Sequence, residues 1–211
     1  MKKALEAYWG DKISAEELLK VAKEQRLNTY ATIKEQGVDF VPTGTFSLYD
    51  HVLDMSNTLG IIPEAYAKSG LSQLDTYFAM ARGHQKGGVD LPATEMKKWF
   101  DSNYHYLVPE FSEKSEFKLN DNKPVDDFIE AKEAGYNARP VVLGPLTLLW
   151  LGKTSKDAQD PNFNRYSLLP KLAQTYVQLF EKLAAAGAPW VQLDEPILVV
   201  DTAKQLSNEF K

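Results

Sequence analysis

The fold is decided by seven residues near the end of the chain, which read WVQLDEP and occupy positions 190–196. A mostly apolar run that stops at two acids and a proline predicts a buried strand over 190–193 with carboxylates at its end. Strands of parallel α/β folds present functional groups at their carboxyl ends, where the loops build the site. The stretch therefore predicts an α/β fold with Asp194 and Glu195 on a functional rim.

The same pattern occurs three times: an amphipathic helix, a glycine, an apolar strand and a proline or a Gly-Pro pair. The helices are predicted to end at Gly37, Gly135 and Gly187, and the strands that follow to span 38–41, 140–143 and 190–193. Strands that are apolar throughout are buried on both faces, as in parallel sheets covered by helices. No Gly-x-Gly-x-x-Gly and no Gly-Lys-Ser/Thr loop follows any strand, so a barrel is favoured over a nucleotide-binding sheet.

The helices have recognisable starts and apolar stripes. Ser14 and Glu17 fit a capping box, which satisfies the first backbone N–H groups of a helix. The stripe of this first helix is predicted to comprise Leu19, Ala22, Arg26, Tyr30 and Ile33. The later helices present Val125, Phe128 and Ile129, and then Leu168, Leu172, Leu179 and Leu183. These side chains are the candidate core.

A long connection over residues 44–138 separates the predicted strands at 38–41 and 140–143. Helices are predicted over 48–58 and 71–81 and, at the two ends of the chain, over 2–9 and 203–211. The polar, Gly-rich stretch 82–92 predicts a mobile loop. Only about three strands are visible, whereas a closed parallel barrel has eight. We therefore expect a piece of a larger protein, cut at both ends.

Composition excludes several classes of protein. The chain has 211 residues, a formal net charge of −5 and no cysteine. Without a basic stripe, nucleic-acid binding is disfavoured. The lack of cysteine excludes disulfides, thiol nucleophiles and thiolate metal sites within these residues. No apolar run approaches the length of a membrane span and no signal-peptide pattern is visible, so a cytoplasmic location is expected.

Seven blocks of sequence, in order along the chain, carry a family resemblance. They read KKALEAYW (2–9), YDHVL (49–53), AMARG (79–83), EMKKWFDSNYHY (95–106), VPE (108–110), LGPLT (143–147) and VQLDEP (191–196). On these blocks the chain resembles the N-terminal domain of the cobalamin-independent methionine synthases, and it looks closest to fungal versions. The resemblance covers essentially the whole chain.

The resemblance implies a fold and an activity. The family has two (βα)8 TIM barrels, and residues 1–211 are expected to form part of the N-terminal one, about its second to fourth strands with a long helical insertion. The parent enzyme transfers a methyl group from 5-methyltetrahydrofolate polyglutamate to homocysteine to make methionine. Its zinc belongs to the C-terminal barrel, so no cofactor is expected in this chain. Alone, the chain is expected to be inactive.

Three residues match family positions that bind the folate tail: Lys2, Lys98 and Asn103. A poly-γ-glutamate tail carries several carboxylates, with which lysine ammonium groups pair. The alternative interpretation is that these lysines only solvate a helix face. No catalytic residue and no metal ligand is assigned.

Other conspicuous residues receive structural interpretations. Asp194 and Glu195 could form an acid–base pair, but adjacent strand residues point to opposite faces, which favours a structural role at the rim. A solvated helix face accounts for Asp50 and Asp54. The histidines His51, His84 and His105 lack metal-ligand spacing. Packing accounts for the aromatic cluster of Trp99, Phe100, Tyr104 and Tyr106.

Two further functions stay open. The chain could be a stand-alone half-barrel module for binding or interaction, which self-associates through open strand edges. It could also be an unrelated barrel hydrolase, although that function needs a carboxylate pair that the sequence does not place.

Overall fold

A computed structural model describes residues 1–201. Its helices are α1 (Lys2–Trp9), α2 (Ala15–Glu35), α3 (His51–Thr58), α4 (Glu64–Ala67), α5 (Gln73–Arg82), α6 (Lys123–Glu133), α7 (Pro145–Leu151) and α8 (Leu169–Ala185). Its strands are β1 (Val41–Thr43), β2 (His84–Lys86), β3 (Val89–Leu91), β4 (Met96–Lys98), β5 (His105–Leu107), β6 (Glu110–Phe111), β7 (Ala138–Leu143), β8 (Lys153–Thr154) and β9 (Gln192–Asp194). The helix predicted over 203–211 lies outside the described residues.

A parallel three-stranded sheet in the order β1-β7-β9 organises the fold. Val41 pairs with Ala138 on one side of the central strand, and Val142 pairs with Leu193 on the other. Helix α6 lies in the connection between β1 and β7 and packs on both of these strands. Helix α8 lies in the connection to β9 and packs on α6 and α7. The predicted α/β class with a parallel sheet is confirmed.

The two outer strands of the sheet, β1 and β9, span different residues from those predicted. The first begins at Val41 rather than residue 38 and continues through Pro42, which the prediction took as its end. Proline is tolerated there because β1 lies at the edge of the described sheet, where one side of a strand needs no N–H donor. The last strand spans Gln192–Asp194 rather than 190–193 because Trp190 packs instead against Phe40.

The predicted helices form with small changes. Helix α2 has the complete Ser14–Glu17 capping box. Its buried residues are Leu18, Ala22 and Tyr30, whereas Leu19 is 47% exposed, so the predicted stripe was wrong at that position. The predicted core residues of the later helices are buried (Val125, Phe128, Leu168, Leu172, Leu179 and Leu183), except Ile129, which is half-buried and packs against the core.

Strands β2 and β3 form an antiparallel hairpin within the stretch 82–92, so the prediction of a loop without secondary structure was wrong there. Strands β2 and β3 are joined by Gly87 and Gly88, both with positive φ. Two consecutive residues with positive φ form the tight turn that best matches the twist of a two-stranded ribbon. A second hairpin joins β4 to β5, and neither it nor α7 was predicted.

Replacing Leu179 with alanine should lower the free energy of unfolding by about 2–5 kcal/mol, because Leu179 is 0% exposed and its loss leaves a cavity. Val177 lies on the same helix and is 54% exposed, so Val177→Ala should cost less than about 0.5 kcal/mol. Urea unfolding of the two variants measures the difference. Equal losses would show that α8 is packed differently.

Candidate active-site cleft and basic groove

A cleft of about 970 Å³ opens at the carboxyl ends of the three parallel strands. Sheets of this kind carry their functional groups at that edge. The polar and aromatic side chains that line it include His51, Asp54, Trp99, Tyr104, Lys123 and Asp194. The cleft is therefore a candidate active site.

Glu195 reaches this edge, but its carboxylate is bound by a helix. Its two oxygens accept hydrogen bonds from the backbone N–H of Leu146 at 3.0 Å and of Thr147 at 2.7 Å. The Thr147 hydroxyl donates a third at 2.5 Å. A carboxylate at the start of a helix satisfies unpaired N–H groups and complements the helix dipole. Gly144 leaves room for it, since a Cβ at that position would lie 2.1 Å from the Glu195 carboxyl carbon.

Asp194 and Glu195 therefore do not act as a pair. Both side chains border the cleft, contrary to the expectation of opposite faces, because the strand ends at Asp194 and Glu195 leaves the extended conformation. Asp194 accepts a hydrogen bond from the Gln192 amide at 2.7 Å. The predicted structural role for this rim agrees with the bonding of Glu195.

The interpretation of Asp50 as part of a solvated face was wrong. Asp50 is 1% exposed and caps α3 by accepting from the backbone N–H of Val52 and Leu53. It also accepts from the backbone N–H of Leu107, on β5, at 3.0 Å and from the Tyr104 hydroxyl at 3.3 Å. Burial raises the pKa of the Asp50 carboxyl to about 6, although its backbone hydrogen bonds oppose the shift.

Asp54, one turn further on, is also largely buried rather than solvated. The Tyr77 hydroxyl donates to it at 2.7 Å, and the Lys123 ammonium lies 3.6 Å away. Burial raises the pKa of Asp54, while Lys123 opposes the shift. Lys123 also binds Asp127 at 2.6 Å, and Arg26 lies 3.5 Å from that carboxylate. A buried network of alternating charges thus joins α2, α3 and α6.

The histidines behave as polar or aromatic packing residues. His51 stacks on Tyr104 with ring centroids 5.7 Å apart. It packs edge-on against Trp99, with ring centroids 4.5 Å apart. Burial lowers the pKa of His51, which favours the neutral ring. His105 contacts the Asn103 carbonyl, and His84 lies in β2. Among residues 1–201, no three His, Asp or Glu side chains converge to hold a metal ion.

The β4–β5 hairpin separates the cleft from a second depression. Trp99 and Tyr104 face the cleft, whereas Lys98 and Phe100 line a groove of about 510 Å³ on the other side. The groove is also lined by Lys97, Tyr106, Trp150, Lys153 and Arg165. Four of these side chains are cationic and none is acidic. On a chain of net charge −5, this groove is a local basic site.

Two of the three predicted tail-binding residues lie on one hairpin, although only Lys98 is among the residues that line the groove. Lys98 lies in the basic groove, and Asn103 lies in the turn of the same hairpin. Lys2 is on α1, with its side chain 88% exposed and 3.9 Å from Glu6. The sequence did not single out Lys153 or Arg165, because they join the groove through long-range folding and fit no local motif.

The ionisation of Asp50 should make stability depend on pH. Since its pKa in the fold lies above its unfolded value, the folded state loses stability as pH rises through about 6. Relative to Asp50→Asn, the wild type should lose about 2 kcal/mol between pH 4 and pH 7. His51 contributes with the opposite sign and Asp54 with the same sign in both proteins, so subtracting the Asp50→Asn profile removes most of their contributions. Denaturant unfolding at both pH values measures it, and parallel pH profiles would contradict it.

Comparison with known proteins agrees with the resemblance in the sequence blocks. The family profile described as "Cobalamin-independent synthase, N-terminal domain" matches residues 1–211. The chain is 51% identical to the probable 5-methyltetrahydropteroyltriglutamate–homocysteine methyltransferase of Schizosaccharomyces pombe, over 100% of this chain and 28% of that protein.

Two further relatives carry the name 5-methyltetrahydropteroyltriglutamate–homocysteine methyltransferase. That of Saccharomyces cerevisiae is 51% identical, over 95% of this chain and 27% of its own length. That of Coxiella burnetii is 44% identical, over 100% of this chain and 27% of its own length. The chain thus spans little more than a quarter of these curated relatives. Matched along all 211 residues, it belongs to the N-terminal-domain family of the cobalamin-independent synthases.

Proposed function

We propose that this chain contributes the binding of a folate polyglutamate tail to an enzyme that methylates homocysteine. The names of its relatives specify a triglutamate form of the methyl donor. Such a tail is a flexible chain of carboxylates, and a groove lined by ammonium and guanidinium groups is the complementary surface. The single observation that carries the proposal is that Lys98 lies in the basic groove.

The charges of the groove are not equally available to a ligand. Lys153 is bound by Glu95 at 2.7 Å and by Glu110 at 3.0 Å, so its charge is already compensated. Lys97 lies 3.4 Å from Glu95. In the part of the chain that the structure describes, no carboxylate lies within 4.0 Å of the Lys98 ammonium.

Arg165 is a further available cation. It donates to the backbone carbonyls of Leu149 at 2.6 Å and Trp150 at 3.4 Å, which orient the guanidinium without neutralising it. Lys98 and Arg165 therefore supply the uncompensated positive charge that a polycarboxylate requires. Asn103, in the hairpin turn, offers an amide that both donates and accepts. Lys2, on α1, is exposed and is the third proposed contact.

We propose that β1, β7 and β9 are consecutive strands of a (βα)8 barrel, which their parallel order and their helical connections support. The zinc that activates homocysteine in the family needs thiolate ligands, and these 211 residues contain no cysteine. The proposed contribution of this chain is to bind and orient the methyl donor, and the chain alone is proposed to be inactive.

Replacing Lys98 with alanine should weaken binding of 5-methyltetrahydrofolate triglutamate about tenfold, corresponding to about 1.4 kcal/mol for one lost charge-assisted contact. The monoglutamate form should bind both proteins equally. Isothermal titration at low and moderate salt measures the effect, which should shrink as salt rises. The exposed Lys23 on α2 provides the control, since Lys23→Ala should bind like the wild type. Equal triglutamate affinity for the wild type and Lys98→Ala would refute tail binding at the groove.

Exposed apolar side chains around β9 favour a second function, self-association. In the described part of the chain, exposed large apolar side chains in this region are Trp190, Leu193, Leu198 and Val199. An open strand edge beside apolar side chains favours pairing with another copy.

Self-association predicts a dimer in size-exclusion chromatography with light scattering, which Leu193→Lys should convert to monomer by placing a charge on the edge strand. Leu19→Lys changes an exposed leucine of α2 in the same way and should leave the dimer intact. A wild-type monomer at every concentration tested would exclude this function.

A further inference from the structure

We propose that Asp50 is a positioning residue, which holds the β4–β5 hairpin so that Lys98 and Asn103 are presented to the polyglutamate tail. The inference rests on the proposed function and adds a residue that does not touch the ligand. Sequence spacing does not indicate this role, because Asp50 lies 57 positions from Leu107, the strand residue that it anchors.

One carboxylate joins two structural elements. The Oδ2 atom of Asp50 accepts from the backbone N–H of Leu53 at 2.8 Å and from that of Leu107 at 3.0 Å. Its Oδ1 atom accepts from the N–H of Val52 at 3.2 Å and from the Tyr104 hydroxyl at 3.3 Å. Two of these donors belong to the start of α3, and the other two belong to the β5 side of the hairpin.

The hairpin has few other anchors on its β4 side. All three residues of β4 are exposed, and the ladder with β5 comprises three residue pairs. The turn contains Phe100 at φ +48°, a conformation that costs energy for a residue with a side chain. Such a turn persists only when its surroundings hold it in place. Phe100 stacks on Trp150 on the groove side, and Asp50 holds the opposite side.

The groups around Asp50 support positioning rather than ligand contact. Its neighbours are the Tyr77 hydroxyl, 3.4 Å from its backbone nitrogen, and the His51 ring, 3.8 Å from its carboxylate. Asp54 adds a second negative charge nearby. The carboxylate is buried and its four hydrogen bonds all come from donors of this chain, so its effect on tail binding passes through the hairpin.

Substitution of Asp50 by serine separates its two roles. A serine hydroxyl is a good helix cap, but it is too short to bond the start of α3 and Leu107 together. We expect Asp50→Ser to bind 5-methyltetrahydrofolate triglutamate at least fivefold more weakly than the wild type, with monoglutamate affinity unchanged. Hydrogen exchange of the Met96–Leu107 amides should accelerate at least tenfold, while that of α8 stays unchanged.

Two further variants distinguish positioning from a general loss of stability. Asp50→Asn retains one oxygen that can accept from both Leu53 and Leu107, so it should restore most of the triglutamate affinity. Ser72→Ala removes the cap of α5, whose hydroxyl accepts from the backbone N–H of Asp75, and should lower stability without changing tail affinity. If Ser72→Ala weakens tail binding as much as Asp50→Ser does, the positioning role is wrong.

The failure of the inference can be told apart from failure of the proposed function. Equal triglutamate affinity for the wild type and Lys98→Ala removes tail binding at the groove, whatever Asp50 does. Unchanged hydrogen exchange of the hairpin in Asp50→Ser overturns the anchoring role, whatever the wild type binds. Faster exchange with unchanged triglutamate affinity also overturns the inference, because the hairpin would then be anchored without any consequence for binding.

Discussion

The position of the carboxyl end of the sheet depends on the Glu195 carboxylate. It follows the last described strand and accepts three hydrogen bonds from the start of the helix that follows the central strand. This contact fixes β9 against the β7–α7 corner more specifically than strand pairing alone, because a one-residue slip would remove the acceptor. It also commits one of the two rim acids to structure. The edge that in other α/β folds carries catalytic acids here caps the start of a helix.

Charged side chains elsewhere also fall into two groups, those that stabilise the fold and those that are available to a ligand. Arg26, Lys123 and the carboxylates around them neutralise one another beneath the cleft and connect three helices. Removing one partner of such a buried set leaves an uncompensated charge, which is costly. Basic side chains that face the groove are only partly compensated, since Arg165 bonds to carbonyls rather than to acids. The interior charges maintain the fold, and the groove retains a surplus for an anion.

Local patterns predicted the features that local physics decides. The strand at 140–143 and the buried leucines of α8 follow from apolar periodicity, and both are observed. Proline at position 42 was taken as the end of a strand, although at an edge it costs no hydrogen bond. The burial of Asp50 could not be predicted, since its partner Leu107 arrives from a distant hairpin. Lys98 was identified by resemblance, and its cationic neighbour Arg165 became visible only when the groove was assembled.

The β4–β5 hairpin is a wall shared by two cavities, with Trp99 on one side and Lys98 on the other. Both sets of side chains project from one two-stranded ribbon, so the position of that ribbon sets the shape of both cavities. A displacement of the hairpin at the cleft would therefore move Lys98 in the groove as well.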